Sequence, residues 1–179
     1  MGNIQIKLPG DKTVEVKPGL SIREIAASMN LNGDVIAAKL DGVPVDLERT
    51  VDRDCDISWI RLDSEEGIDI LRHSTAHLMA QAVQSLFPGT QVTIGPTIEH
   101  GFYYDFKREK SFAPEEIEQI EARMRALAAE NQKVKREEMP RDAAIELFRR
   151  MGEDYKVEIP REIPEDRSEE RRVGKECRL

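Results

Sequence analysis

The chain has little of several things, and each shortage excludes a class of protein. It has 2 cysteines in 179 residues, Cys55 and Cys177. Two distant thiols do not make a disulfide framework, so a small secreted scaffold is excluded. No run of 18 apolar residues occurs, so no segment reads as a membrane-spanning helix. The first residues lack the apolar centre of a signal peptide. Gly2 is followed by Ile6 where a myristoylation signal wants Ser or Thr. A basic excess is missing too. The net charge is −8, which argues against a general coat for nucleic acid but leaves a local RNA contact open. The expected setting is a reducing, cytoplasmic one.

What is present divides into two regions. Ile4, Ile6 and Leu8 alternate with polar residues, as do Val14 and Val16; Pro9-Gly10-Asp11-Lys12 between them makes a hairpin. Ser21 and Glu24 form a capping box for a short helix with Ile22, Ile25, Ala26 and Met29 inward. Val35–Ala38 and Asp56–Ile60 read as further strands, with Asp41-Gly42 as a tight turn. Residues 1–62 therefore predict a ββαβ-type mixed sheet with a helix on one face. The polar run 63–66 marks a boundary, with Ser64 as a helix cap.

The second region opens on a long helix from Ser64 to about Leu86, ended by Pro88-Gly89. Gln91–Ile94 and Phe102–Phe106 read as strands, around a bent segment at 95–101. Pro114 opens a second helix to about Gln132, with Ile117, Ile120, Met124, Leu127 and Ala128 buried. Lys133–Met139 and Tyr155–Ile159 read as strands, and Pro140 to Gly152 as a third helix. The fold class is α+β.

The chemistry concentrates at His73 and His77. Residues four apart share a helix face, so both imidazoles point to one place. The helix's apolar stripe reads as Ile68, Leu71, Thr75, Leu78, Met79, Ala82 and Leu86, which puts the pair nearly opposite the core, beside Ile70, Ala80 and Gln84. A metalloprotease helix needs His-Glu-x-x-His, and Ser74 stands where the Glu would be. Two histidines are half a tetrahedral zinc site, so His73 and His77 are at most partial ligands. The plain alternative is a chance pair on a solvated face. Against it stand a third histidine, His100, and the Tyr103-Tyr104-Asp105 cluster, which could wall a pocket. Phe102–Phe106 is more often a strand's core face than a platform for bases. Lys156 by itself reads as a solvated lysine, and Arg149-Arg150 as partners of a helix dipole.

Residues 167–179 break the pattern. They have no apolar periodicity and hold five basic against three acidic residues. A solvated tail touching RNA is one reading. The string better resembles a translated sequencing-adapter oligonucleotide fused to a truncated frame, and it is set aside as a non-native tail.

Taken together, residues 3–62 resemble the TGS domain, a ubiquitin-like β-grasp module. The run Arg72-His73-Ser74-Thr75-Ala76-His77-Leu78-Met79-Ala80-Gln81-Ala82 resembles the start of the threonyl/alanyl-tRNA synthetase editing domain. Ile94-Gly95-Pro96, Gly101–Asp105 and Gly152–Val157 resemble the bacterial threonyl-tRNA synthetase pattern. The resemblance covers about residues 1–165, dividing at 62/63, with 63–166 an incomplete editing domain. It implies an ATP-dependent ligase joining threonine to tRNA(Thr), with a second site hydrolysing mischarged Ser-tRNA(Thr). It implies His73 and His77 as catalytic residues and Tyr104 and Lys156 as pocket residues, with His100 added as a binding residue. It also implies the tRNA acceptor end as partner, a homodimer formed through other domains, and ATP, Mg and zinc in a ligase core. That core and the family's Cys-x-x-x-His pair are absent from the 179 residues. The fragment is therefore expected not to charge tRNA and to edit weakly or not at all. A non-catalytic TGS-type binding module and a free-standing alanyl-type editing factor are the alternatives.

Overall fold

The computed structural model describes residues 2–31, 33–93, 95–132, 137, 139–152 and 157. The chain divides into two compact units, Met1–Leu71 and Arg72–Leu179. Each is taken by itself.

The first unit is built on alternation. β1 (Ile4–Leu8) has every second residue buried and pairs antiparallel with β2 (Lys12–Val16), Leu8 opposite Lys12 and Ile4 opposite Val16. The turn between them needs two left-handed residues, and Gly10 (φ 79°) and Asp11 (φ 56°) supply them. β3 (Leu20–Ser21) leads into α1 (Ile22–Ser28). The capping box is present: Ser21 Oγ accepts from the Glu24 N–H at 3.2 Å, and the Glu24 carboxylate accepts from the Ser21 N–H at 2.8 Å. The Ser21 N–H, and after it the Ser21 hydroxyl donating to the same carboxylate at 2.8 Å, hold the Glu24 carboxyl below its ordinary pKa. Next come β4 (Val35–Leu40), β5 (Val43–Val45), β6 (Thr50–Val51) and β7 (Cys55–Arg61). The sheet order is β2-β1-β7-β4-β5, with β1 and β7 parallel at its centre. Asp41 (φ 49°) and Gly42 (φ 82°) make the β4–β5 turn.

This is the β-grasp arrangement expected of the TGS resemblance. Ile6, Ile22, Ile25, Ala38, Val51 and Ile57 form its core, at most 2% exposed. Cys55 is free and buried against them, and burial pushes its thiol pKa up, away from reactivity.

α2 (Glu65–Leu86) starts in the first unit and continues into the second. Ser64 caps it, its Oγ accepting from the Gly67 N–H at 3.0 Å while donating to the Arg61 carbonyl at 2.6 Å. A Cβ on Gly67 would stand 1.9 Å from that carbonyl oxygen, so only glycine fits there.

Leu78, Met79, Ala82 and Leu86 of the expected α2 stripe belong to the second unit's core, and the stripe differs from expectation elsewhere. Ile68 and Leu71 are 38% and 49% exposed, and the buried residues are Ala76, Ala80, Ala82 and Val83. With His73 at zero on the helical wheel, Ala76, Val83 and Ala80 fall at roughly 280–340°. Ala82 falls at roughly 180°, and the partly buried Leu78, Met79 and Leu86 at roughly 140–240°, so the buried sector runs from there round to Ala76, Ala80 and Val83 and the histidines stand at its edge. Small side chains permit this: alanines let neighbouring groups approach where the larger Ile and Leu of the first turns do not.

In the second unit the strands are short. β8 (Gln91–Val92) pairs with β11 (Phe106–Lys107), and β9 (Thr97–Ile98) with β10 (Gly101–Phe102), both antiparallel. The expected strand Phe102–Phe106 is therefore two strands interrupted at 103–105. The bent segment holds a small hairpin of its own, and at the break Thr93 Oγ1 donates to the Asp105 carbonyl at 2.7 Å. α3 (Pro114–Ala129) and α4 (Arg141–Arg150) follow, each close to its expected range, and Gly152 (φ 70°) ends the latter. Ile120 and Leu127 of α3 are buried against Ala82 and Val83 of α2, with Met124 partly buried. Ile117 is 53% exposed and Ala128 is exposed, so neither belongs to the buried stripe. The expected strand at 133–139 lies mostly outside the described residues. Of 155–159 only Val157 is described; it is helical and buried, not extended.

Candidate functional site

The helical period of α2 brings the two histidines into contact. His77 Nε2 lies 3.0 Å from His73 Nε2, with ring centroids 4.5 Å apart and planes at 74°. At that distance one nitrogen donates and the other accepts, so a single proton lies between the rings. His73 is exposed and His77 half-buried. The pair is neither splayed apart nor sunk in the core. It lies at a helix surface with two ring nitrogens within hydrogen-bond distance, a geometry open to acid–base work.

Tyr104 is brought to the same place. Its ring is 6.5 Å from that of His77, edge-on at 73°. Two contacts fix it. Phe106 stacks on it at 5.2 Å and 24°. Gly95 presses against it so closely that a Cβ would stand 2.2 Å from Cδ2. Glycine at 95 is therefore a condition for Tyr104 to be where it is. Tyr104 and Phe106 also wall a pocket of about 470 Å³ together with Met79, Val83, Phe112 and Ile120. The histidines do not line that pocket; Tyr104 is the link between it and the pair.

The structure does not bring His100 to this place. It sits in the β9–β10 turn with 87% of its side chain exposed, 3.9 Å from Glu99. Lys156 lies outside the described residues. Among the described residues, no group of three or more His, Cys, Asp or Glu side chains is placed to hold a metal ion. His73 and His77 would fill two corners of a tetrahedral set at most.

Two features escaped the sequence reading. Arg108 lies 4.4 Å over Phe87 and 4.8 Å over Phe112 while donating to both oxygens of Glu116 at 2.9 and 2.7 Å. Glu116 also accepts from the Ala113 N–H at 2.9 Å. Arg108, then that N–H, lower the Glu116 pKa from 4.5 to about 2. This clamp secures the entry to α3 beside the pocket. An Arg eight residues before a Glu carries no periodic signal, so only the structure reveals it. The second is Gln81, half-buried one helical turn beyond His77, whose buried Oε1 has no hydrogen-bond partner among the described residues.

No family model matches the chain. Sequence relatives are close. The chain is 55% identical over 129 residues to the threonine–tRNA ligase of Acidithiobacillus ferrooxidans (strain ATCC 53993 / BNL-5-31), covering 72% of the chain and 20% of that protein. It is 48% identical over 161 residues to that of Pelobacter propionicus, covering 89% of the chain and 25% of that protein. With that of Legionella pneumophila (strain Corby) it shares 45% over 163 residues, 90% of the chain and 26% of that protein.

A β-grasp unit followed by an α+β unit with a paired-imidazole helix, matched in this way, falls within the aminoacyl-tRNA synthetases. The chain belongs to the threonine–tRNA ligase family, as a segment of it. It spans about a fifth to a quarter of the length of the curated relatives it matches.

Proposed function

We propose that this segment is the N-terminal part of a threonine–tRNA ligase and carries half of a site that hydrolyses serine wrongly esterified to tRNA(Thr). The observation that supports this best is the 3.0 Å His73–His77 contact at a helix surface. Serine lacks only threonine's methyl, a difference that limits discrimination at a single site and calls for a second, hydrolytic one. When the ester enters, the imidazole–imidazole bond opens. His73 Nε2 takes a proton from water as the water oxygen attacks the ester carbonyl. The resulting imidazolium returns that proton to the departing ribose oxygen, and free serine and tRNA leave. His77 holds the tautomer and meets the neighbouring ribose hydroxyl. Tyr104 keeps the His77 ring in place from its edge.

The ligase reaction belongs to the part of the family's length that this chain does not span. ATP, Mg and zinc would be held there, and homodimer contacts made there. No helix among the described residues is long and apolar enough to cross a membrane, which suits an enzyme working on tRNA in the cytoplasm. The tRNA acceptor end is the proposed partner, with Lys156 a contact for it.

The test is deacylation of Ser-tRNA(Thr) by a complete threonine–tRNA ligase carrying this segment. His73→Ala should lower the rate about 10²–10⁴-fold and leave threonylation unchanged. An unchanged deacylation rate would remove His73 from the mechanism.

A further inference from the structure

Tyr104, Phe106 and Arg108 stand two apart around β11, where alternate side chains share a face. From that face a continuous run of contacts leads away from the histidines. Tyr104 lies edge-on to His77 at 6.5 Å and is stacked on Phe106 at 5.2 Å. Phe106 meets the edge of Phe112 at 5.8 Å and 89°, and Phe112 meets Phe87 at 5.6 Å and 55°. The Arg108 guanidinium covers Phe87 and Phe112 together. Glu116 fixes that guanidinium by accepting from two of its nitrogens, at 2.9 and 2.7 Å.

A side chain in a close-packed core is held from every side. These rings are held from fewer. A cavity of about 470 Å³ lies against Tyr104, Phe106 and Phe112, so on that side they have room to turn. β11 adds little restraint, being two residues long. Phe106 is steadied by the edge of Phe112, and Phe112 by the cation above it. Such a grip suits arginine. A planar guanidinium lies flat on a ring while its fork donates to a carboxylate, and an ammonium group does not do both.

We propose that Arg108 is a positioning residue for the His73–His77 pair. Held by Glu116, it pins Phe112; Phe112 keeps Phe106 against Tyr104; and Tyr104 sets the His77 ring. Arg108 acts through three rings and takes no part in the proton transfers. Its bearing on hydrolysis rests on the editing function proposed above, and its bearing on ring geometry does not.

The first experiment uses nuclear magnetic resonance of the 179-residue chain and two variants. Arg108→Leu keeps apolar cover over the rings and removes the charge and the fork. Glu116→Gln leaves every ring in place and loosens the guanidinium. In each, cross-relaxation between the Tyr104 and His77 rings should weaken and the His77 ring resonances should move. Arg125→Leu breaks the exposed Arg125–Glu121 pair on the same helix, α3, and should change neither signal. In a complete threonine–tRNA ligase carrying this segment, Arg108→Leu should lower kcat for Ser-tRNA(Thr) deacylation about 10- to 100-fold with KM unchanged. It should also shift the pH dependence of kcat, which a mere loss of folded enzyme would not do. An unchanged Tyr104–His77 signal in folded Arg108→Leu overturns the role of Arg108; if that chain does not fold, the same result in Glu116→Gln overturns it. Ring signals that change while deacylation keeps its rate and pH dependence sink the editing function and leave the positioning of the pair by Arg108 in place.

Discussion

The two units of this chain use the same elements to opposite ends. In the first, β1 and β7 run 5 and 7 residues, β1 burying alternate side chains and β7 burying Cys55, Ile57 and Ile60. Its polar groups cap, turn and pair at the surface, as with Arg23–Glu48 at 2.6 Å and Arg53–Asp41 at 2.7 Å. In the second, every strand among the described residues is two residues long. Its order comes from side-chain contacts: the His73–His77 pair, the Tyr104–Phe106 stack and the Arg108–Glu116 clamp. The contrast teaches where function can be placed. A unit whose backbone pairs extensively is stable without special side chains. A unit held by a few aromatic and polar contacts has groups available for chemistry, and is correspondingly sensitive at those contacts.

This contrast can be broken, first, in the core of the first unit. Ile25 is fully buried, and Ile25→Ala should destabilise that unit by about 2–5 kcal/mol. Chemical denaturation monitored at Trp59 should report it. The His73 and His77 resonances should keep their positions. If they moved with the Ile25 substitution, the two regions would not be separable in the way described.

A smaller but more local effect is expected at Gly95. Gly95→Ala forces a methyl into the Tyr104 ring, and overpacking of this kind costs about 1–3 kcal/mol. The ring must move, so cross-relaxation between Tyr104 and His77 should weaken while the capping box at Ser21 and Glu24 is untouched. Retention of the Tyr104–His77 signal in a stable Gly95→Ala chain would show that glycine is not what admits the tyrosine.

The least effect, and the one that depends on pH, belongs to Glu116. Its pKa is lowered from 4.5 to about 2. The carboxylate's contribution to stability is therefore present in full above pH 4.5 and is lost as pH falls through about 2. Glu116→Gln should lower the melting temperature at neutral pH. The gap between variant and parent should close as the buffer is taken from about pH 5 to about pH 2. A gap that is constant with pH would mean that the Arg108 charge is not what holds Glu116.

Much of the first unit was legible in advance. Strand alternation, Gly10 and Asp11 in a turn, and the Ser21–Glu24 box are short-range signals, and each specifies its own local geometry. The histidine pair was legible for the same reason, since spacing of four on a helix fixes a shared face. The face that α2 buries was legible only in part, in Leu78, Met79, Ala82 and Leu86. A 22-residue helix with apolar residues on several sides can offer more than one stripe. The choice of Ala76, Ala80 and Val83 over Ile68 and Leu71 was made by what packs against it. Phe102–Phe106 misled in a similar way. Its composition favours a strand, but the Thr93–Asp105 bond and the hairpin at 97–102 divide it.

By itself, the amino-acid order determined the β-grasp succession, the helix starts at Ser21, Ser64 and Pro114, and the neighbouring positions of His73 and His77. These depend on interactions within a few residues, where the chain's own geometry leaves few choices. Tertiary structure alone decided that Tyr104 would join the pair, that His100 would face solvent, and that the Gln81 oxygen would be buried. Those outcomes depend on groups distant along the chain meeting in three dimensions, and no local pattern specifies which side chains will be left facing one another.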